Sequence, residues 1–140
     1  MKILLPVDGS DYTKRMLGWL AAHDEFLGGD HQRIALTVVP PVPMHAARYL
    51  DAKVLDEYYR DQADQVLKPI RAFAEQNHWT LRAAHAHGHA AEAIADFAEK
   101  EKPDLIVMGT HGHGALGNMV LGSVATGVIA RCKAPVLLVR

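Results

Sequence analysis

The stretch Asp104-Leu-Ile-Val-Met-Gly-Thr-His-Gly-His-Gly-Ala-Leu-Gly-Asn-Met-Val-Leu-Gly-Ser123 decides how this chain is read. Its opening, Asp104–Met108, has the continuous apolar run of a strand covered on both faces. Its end leads into Ser123–Arg131, which reads as a short amphipathic helix. Between them lies Gly109–Leu121, about 13 residues, near the length at which structureless connections are uncommon unless they have a task. Glycines let backbone N–H groups face an anion with no Cβ in the way, and the free amides of the following helix add a partial positive charge. Thr110 and Ser123 add hydroxyls, and Ser123 stands where a helix N-cap is expected. The segment therefore predicts a strand, a phosphate-binding loop and a helix.

Working outward, the same alternation recurs. Ile3–Val7 reads as a strand, followed by a helix over Asp11–Leu27 with apolar residues at 16, 17, 20 and 27, stopped by Gly28 and Gly29. Arg33–Val39 is a β-branched strand closed by Pro40-Pro41-Val42-Pro43, which continues neither regular structure. From about Arg48 to Asn77, the residues Leu55, Tyr59, Gln62, Val66, Ile70, Phe73 and Ala74 keep a helical period, with Pro69 expected to kink or split the helix. Trp79–Ala86 is a weaker strand. His89–Lys102 is a helix with Ala90, Ala93, Ile94, Phe97 and Ala98 on one face, ended by Pro103, and Val136–Val139 is the last strand. Five strands alternating with helices favour a parallel sheet with helices on both sides.

Composition narrows the function. At 140 residues the chain fits one domain, 1–140, with a core that needs no disulfide or metal. Fifteen basic against 16 acidic residues and no recurring basic patch argue against nucleic acid as a partner. Cys132 is the single cysteine, so an internal disulfide is impossible and a reducing, cytoplasmic setting is expected. The apolar run from Ile3 to Val7 is too short for a signal peptide or a membrane span.

Rival chemistries fare worse than phosphate binding. Gly112-His113-Gly114-Ala115-Leu116-Gly117 fits the dinucleotide pattern, but no helix opens at once and no acidic residue follows to hold a ribose. A Walker A loop is excluded because no Gly-Lys-Ser/Thr occurs. The alternation of His85, His87 and His89 allows a metal on one strand face, with surface histidines as the plainer account. Cys132 shares a helical face with Ala125, Val128 and Ile129, a packing position rather than a redox one. Tyr58, Tyr59 and Trp79 suit core or interface positions.

The spacing Gly109-x-x-Gly112, nine residues, then Gly122-Ser123 resembles the nucleotide-binding members of the universal stress protein family. So do the opening Ile-Leu-Leu-Pro-Val-Asp-Gly-Ser (3–10), the segment Gly88-His-Ala-Ala-Glu-Ala-Ile94 and the ending Ala-Pro-Val-Leu-Leu-Val-Arg (134–140). The resemblance covers the whole chain. It implies an adenine nucleotide alpha hydrolase-like α/β fold: a three-layer, doubly wound, five-stranded parallel sheet in order 3-2-1-4-5, whose ligands sit where the order reverses. It also implies ATP or another adenine nucleotide, with Mg2+ or Mn2+ carried by the phosphates. Asp8 and Val38 would meet the adenine, Met108 and Gly109 the ribose, and Gly112, Gly122, Ser123 and Val124 the phosphates, with Pro6, Val7, His111 and His113 completing the site. Asp8 also reads as an Asx-turn or a cap of the next helix. Where the family often has Arg or Lys after the second glycine, this chain has His113.

The expected role is that of an ATP-binding, homodimeric stress-response regulator or sensor with little or no hydrolysis, paired through the unprotected edge strand Val136–Val139. A protein partner is left open. Two alternatives stand beside it. One is a slow ATPase or nucleotidyl/phosphoryl transferase, with Asp8 assisting a metal and His111 or His113 taking a proton. The other is an interaction module without nucleotide, against which the intact glycine spacing speaks.

Overall fold

A computed structural model of the chain describes residues 1–25, 27, 30–114 and 118–140. The strands are β1 (Lys2–Pro6), β2 (Gln32–Val39), β3 (Leu81–His87), β4 (Leu105–Gly109) and β5 (Val136–Val139). The helices are α1 (Asp11–Ala22), α2 (Met44–Ala47), α3 (Ala52–Gln76), α4 (Ala90–Glu101) and α5 (Ser123–Arg131). All neighbouring strands pair in parallel in the order β3-β2-β1-β4-β5, so the sheet order implied by the family resemblance is correct.

Alternating side chains on the strands build a core on each face of the sheet. On one face Ile3, Leu5, Ala35, Val39 and Val107 meet Met16, Leu17 and Leu20 of α1 and Tyr59, Ala63, Leu67 and Ile70 of α3. On the other, Leu4, Ile34, Leu36, Ile106 and Met108 meet Ile94 and Ala98 of α4 and Ala125 and Val128 of α5. β1 and β4 are covered on both sides, which is why their sequences are continuously apolar.

Several boundaries differ from the sequence reading. Helix α1 ends at Ala22, not Leu27: the His23 ring stacks on Trp19, and its Nδ1 lies 2.8 Å from the Trp19 carbonyl, which the ring occupies as the helix turns out. Leu27 is nevertheless buried beyond the helix end. Gly28 and Gly29, expected to stop α1, lie outside the described residues. Helix α2 was not anticipated; it opens at Pro43, a position that needs no N–H and so suits proline. Pro69 sits inside α3 without splitting it. The face of α5 is narrower than expected, since Ala125 and Val128 are buried while Ile129 is 45% exposed. Tyr59 is a core residue, stacked on His87 with centroids 4.3 Å apart, and its hydroxyl accepts a hydrogen bond from the Val42 amide at 3.0 Å. It thereby pins the proline segment to α3.

Candidate functional site

The carboxyl ends of β2, β1 and β4 open into one cavity of about 490 Å³. All twelve candidate residues line it: Pro6, Val7, Asp8, Val38, Met108, Gly109, His111, Gly112, His113, Gly122, Ser123 and Val124. The cavity lies where the strand order reverses, the place at which open α/β sheets take ligands. Toward β2 and α3 its wall is largely apolar, with Leu36, Val38, Val39, Pro40 and Val66 joined by Thr37 and Gln62. Toward β4 and α5 it is built from backbone, through Gly109, Gly112, Gly114 and Gly122.

Asp8 ties the turn after β1 to the glycine loop. Its Oδ1 accepts from the Ser10 amide at 2.9 Å, closing an Asx-turn, and from the Thr13 hydroxyl at 2.9 Å. Its Oδ2 accepts from the His113 amide at 3.2 Å, and a Cβ on Gly112 would collide with that oxygen. Half-burial works against the charge, yet the bonds from Ser10, from the Thr13 hydroxyl and from the His113 amide outweigh it and hold the carboxyl below its ordinary pKa. Asp8 is therefore ionised at neutral pH. The turn reading holds, and the oxygen left over by the turn faces the glycine loop rather than standing free.

Two other expectations need correction. The N-cap of α5 is Gly122, not Ser123: Ser123 is the first helical residue and makes no capping bond. The Gly122 amide is also not free, since it donates to the Thr110 carbonyl at 2.8 Å. A Cβ on Gly122 would stand 2.9 Å from that oxygen and 3.1 Å from His111 Cα, so glycine is required by close approach. The amides available to an anion are those of the first turn of α5, Ser123 and Val124, which have no intrahelical acceptor.

His111 is held by the loop itself, and His113 by the turn after β1. His111 Nε2 lies 2.8 Å from the Met119 carbonyl and its Nδ1 2.9 Å from Thr110 Oγ1, so a neutral ring donates to the first and accepts from the second. His113 Nε2 lies 2.8 Å from the Asp8 carbonyl, to which it donates. Elsewhere, His87 stacks on Tyr59, and among the described residues no group of three or more His, Cys, Asp or Glu gathers to hold a metal. Cys132 is half-buried against the α5 core, and burial pushes its thiol pKa up.

Sequence reasoning missed Gln62, Val66, Thr37 and Pro40 as cavity walls. Gln62 carried a usable signal, an amide in the middle of an otherwise apolar helical stripe.

Comparison with known proteins agrees with this geometry. The sequence model of the universal stress protein family matches residues 1–140. A universal stress protein of Thermus aquaticus is 38% identical, with 99% of this chain and 97% of that protein covered. MJ0531 of Methanocaldococcus jannaschii is 33% identical, with 99% and 81% covered. The solved structure of MJ0577 superposes with a TM-score of 0.80 at 26% identity, covering 99% of this chain and 94% of that one. More distant structures share the fold and were solved with nucleotides. They are a universal stress protein with cAMP (TM-score 0.71, 21% identity, 100% and 97% covered), an Arabidopsis thaliana protein with AMP (0.70, 15%, 99% and 90%) and an Archaeoglobus fulgidus protein with dAMP (0.69, 21%, 100% and 98%).

Proposed function

This chain belongs to the universal stress protein family, and on that premise we propose that it binds an adenine nucleotide in the cavity at the ends of β2, β1 and β4, acting as a homodimeric stress-response regulator. The observation that carries the reading is the two-ended cavity. An apolar wall from β2 and α3 suits a base, and the amides of the first turn of α5 suit a phosphate. Relatives solved with AMP, cAMP and dAMP make adenine the base to test first.

Binding without turnover follows from the side chains. Hydrolysis calls for a free base and a charge-neutralising cation at the reacting phosphate. Both ring nitrogens of His111 are engaged by the loop and the Nε2 of His113 by the Asp8 carbonyl, and residues 103–130 contain no Lys or Arg. Asp8, the one carboxylate among the described lining residues, has both oxygens occupied by N–H and O–H donors. A Mg2+ or Mn2+ ion would thus be held by the phosphates and not by the protein.

The two sheet edges support pairing through β5. The outer strand β3 exposes Arg82, His85 and His87, the kind of residue that guards an edge, whereas β5 is Val-Leu-Leu-Val with its first three residues half-buried. Beside it, Ile129 of α5 is 45% exposed. No helix among the described residues is long and apolar enough to cross a membrane.

Native mass spectrometry of freshly purified protein tests the proposal in one experiment. The expected spectrum is a dimer carrying an adenine nucleotide, or taking one up when AMP is added. A monomer would remove the dimer, and a dimer that takes up no adenine nucleotide at millimolar concentration would remove the ligand reading.

A further inference from the structure

We propose that the exposed face running from α2 into the first half of α3 docks a basic amphipathic helix of a partner protein, whatever ligand the neighbouring cavity holds. Five large apolar side chains stand in water there: Met44 at 86%, Tyr49 at 82%, and Leu50, Val54 and Tyr58 at 41%, 46% and 44%. With about 200 Å² for a full-sized side chain, they offer on the order of 500 Å², an area at which an exposed apolar patch marks an interaction site. The platform beneath them is fixed. The Tyr58 ring stands edge-on to Tyr59, with centroids 5.7 Å apart at 62°, and Tyr59 is buried, stacked on His87 and bonded to the Val42 amide. A tyrosine oriented before binding is the kind of anchor that carries interface energy, since it loses little freedom on contact.

Helical spacing and charge name the occupant. Val54, Tyr58, Gln62 and Val66 follow one another at i+4, a ridge of the kind that seats in the groove of a facing helix. It begins in solvent at Val54 and ends at Gln62 and Val66, which line the cavity. Its neighbours at three-residue spacing are acidic: Asp51 and Glu57 beside Val54, and Asp61 beside Tyr58. All three are exposed, and none enters a salt bridge among the described residues. The cations Lys53 and Arg60 lie on the other flank, each three or four residues from Asp56 and Glu57, and Arg48 stands outside α3, at the end of α2. An apolar ridge with an acidic border matches a helix that carries Leu or Met at the same spacing and Lys or Arg beside them. The same border repels the anionic surface of a membrane. It also opposes a second copy, because two such helices packed antiparallel about a two-fold axis bring their acidic borders together.

Fluorescence anisotropy on the full chain tests this with two labelled peptides of about 18 residues, long enough to hold a helix. One carries Leu at i, i+4 spacing with Lys on the flanks, and the other has Glu in place of Lys. The Lys peptide should bind about tenfold or more tightly than the Glu peptide, with a difference that shrinks at high salt. Amide hydrogen exchange should place its protection on residues 44–62. Tyr58→Ala should weaken the Lys peptide about tenfold, the loss expected of a central tyrosine anchor. Because Tyr58 also touches the core residue Tyr59, Asp61→Lys supplies a second variant on an exposed side chain: it should narrow the preference between the two peptides with the fold unaltered by circular dichroism. No binding of the Lys peptide at about 100 μM, equal binding of the two peptides, protection elsewhere on the surface, or affinities untouched by both variants would overturn the proposal. So would an oligomer on native mass spectrometry that Tyr58→Ala dissolves, which would give the face to a second copy. Tyr58-dependent binding to phosphatidylserine vesicles would overturn it as well, by giving the face to a membrane.

Discussion

Two turns meet at the reversal of strand order, and they are built in opposite ways. The turn after β1, residues 7–10, is made by side chains: Asp8 receives Ser10 and Thr13, the Asp8 amide donates to Thr13 Oγ1 at 3.1 Å, and Ser10 caps α1. The connection after β4 leans on close backbone approach, with the rings of His111 and His113 bonded alongside. Gly122 donates to Thr110, the amide of His113 donates to Asp8, and the glycines allow approaches that a Cβ would forbid. A turn closed by side chains is set by local sequence and fixes itself. A loop closed by glycines is set by what lies next to it, and here its neighbour is the first turn. The rigid turn is the template on which the glycine loop is shaped.

The largest expected effect comes from breaking the backbone-built side. Gly122→Ala places a methyl 2.9 Å from the Thr110 carbonyl and 3.1 Å from His111 Cα, both backbone atoms that cannot rotate away. The loop and the start of α5 must separate, at a cost of about 1–3 kcal/mol for overpacking of this kind. The shift also moves the Ser123 and Val124 amides, so phosphate-bearing ligands should lose affinity more than adenosine does. Chemical denaturation and calorimetry would measure the two effects, and an alanine variant as stable as the parent would show the contact to be compliant.

Breaking the side-chain-built turn should do less. Ser10→Ala removes the cap whose hydroxyl accepts from the Thr13 amide at 3.4 Å, and loss of such a cap costs about 1 kcal/mol. Asp8 loses the help of the Ser10 hydroxyl but keeps its bonds from the Ser10 amide, the Thr13 hydroxyl and the His113 amide, so nucleotide affinity should change about twofold or less. A larger loss of affinity would mean that the turn transmits strain to the loop more directly than its hydrogen bonds suggest.

The same contrast explains what the sequence made legible. Strands β4 and β5 and helix α5 were placed to within a residue because continuous apolar runs and a flanking glycine loop admit one reading. The end of α1 was not, because Leu27 continues the helical period of Leu20 and only the stacking of His23 on Trp19 shows that the helix has already stopped. Helix α2 has four residues, too few to display a period, and follows three prolines that read as pure interruption. Of the cavity wall, the residues of the glycine loop were legible because their motif is local, and Pro6, Val7, Asp8 and Val38 only through the family resemblance, whereas Gln62 and Val66 reach the cavity from α3, some fifty residues away in the chain, through packing that no local pattern records. Ser123 was misplaced for a related reason. Serine is the better cap in isolation, but the close approach of Thr110 requires glycine at the cap and moves serine one place into the helix.

The smallest effect is the most specific, because it reads the charge on Asp8 alone. A carboxyl whose folded pKa lies below its unfolded value of about 3.9 contributes stability that is fully present above that value and is lost as pH falls through the folded pKa. Asp8→Asn has no such titration. The melting temperature of the parent should therefore exceed that of Asp8→Asn by a constant margin above about pH 5, and the margin should close as pH falls below about 4. Glu101, whose pKa is lowered chiefly by its hydrogen bond from Arg82, is present in both proteins, so its contribution cancels in the difference. A margin that stays constant down to pH 2 would mean that Ser10, Thr13 and His113 do not favour the charged form. The template turn would then be held by geometry alone.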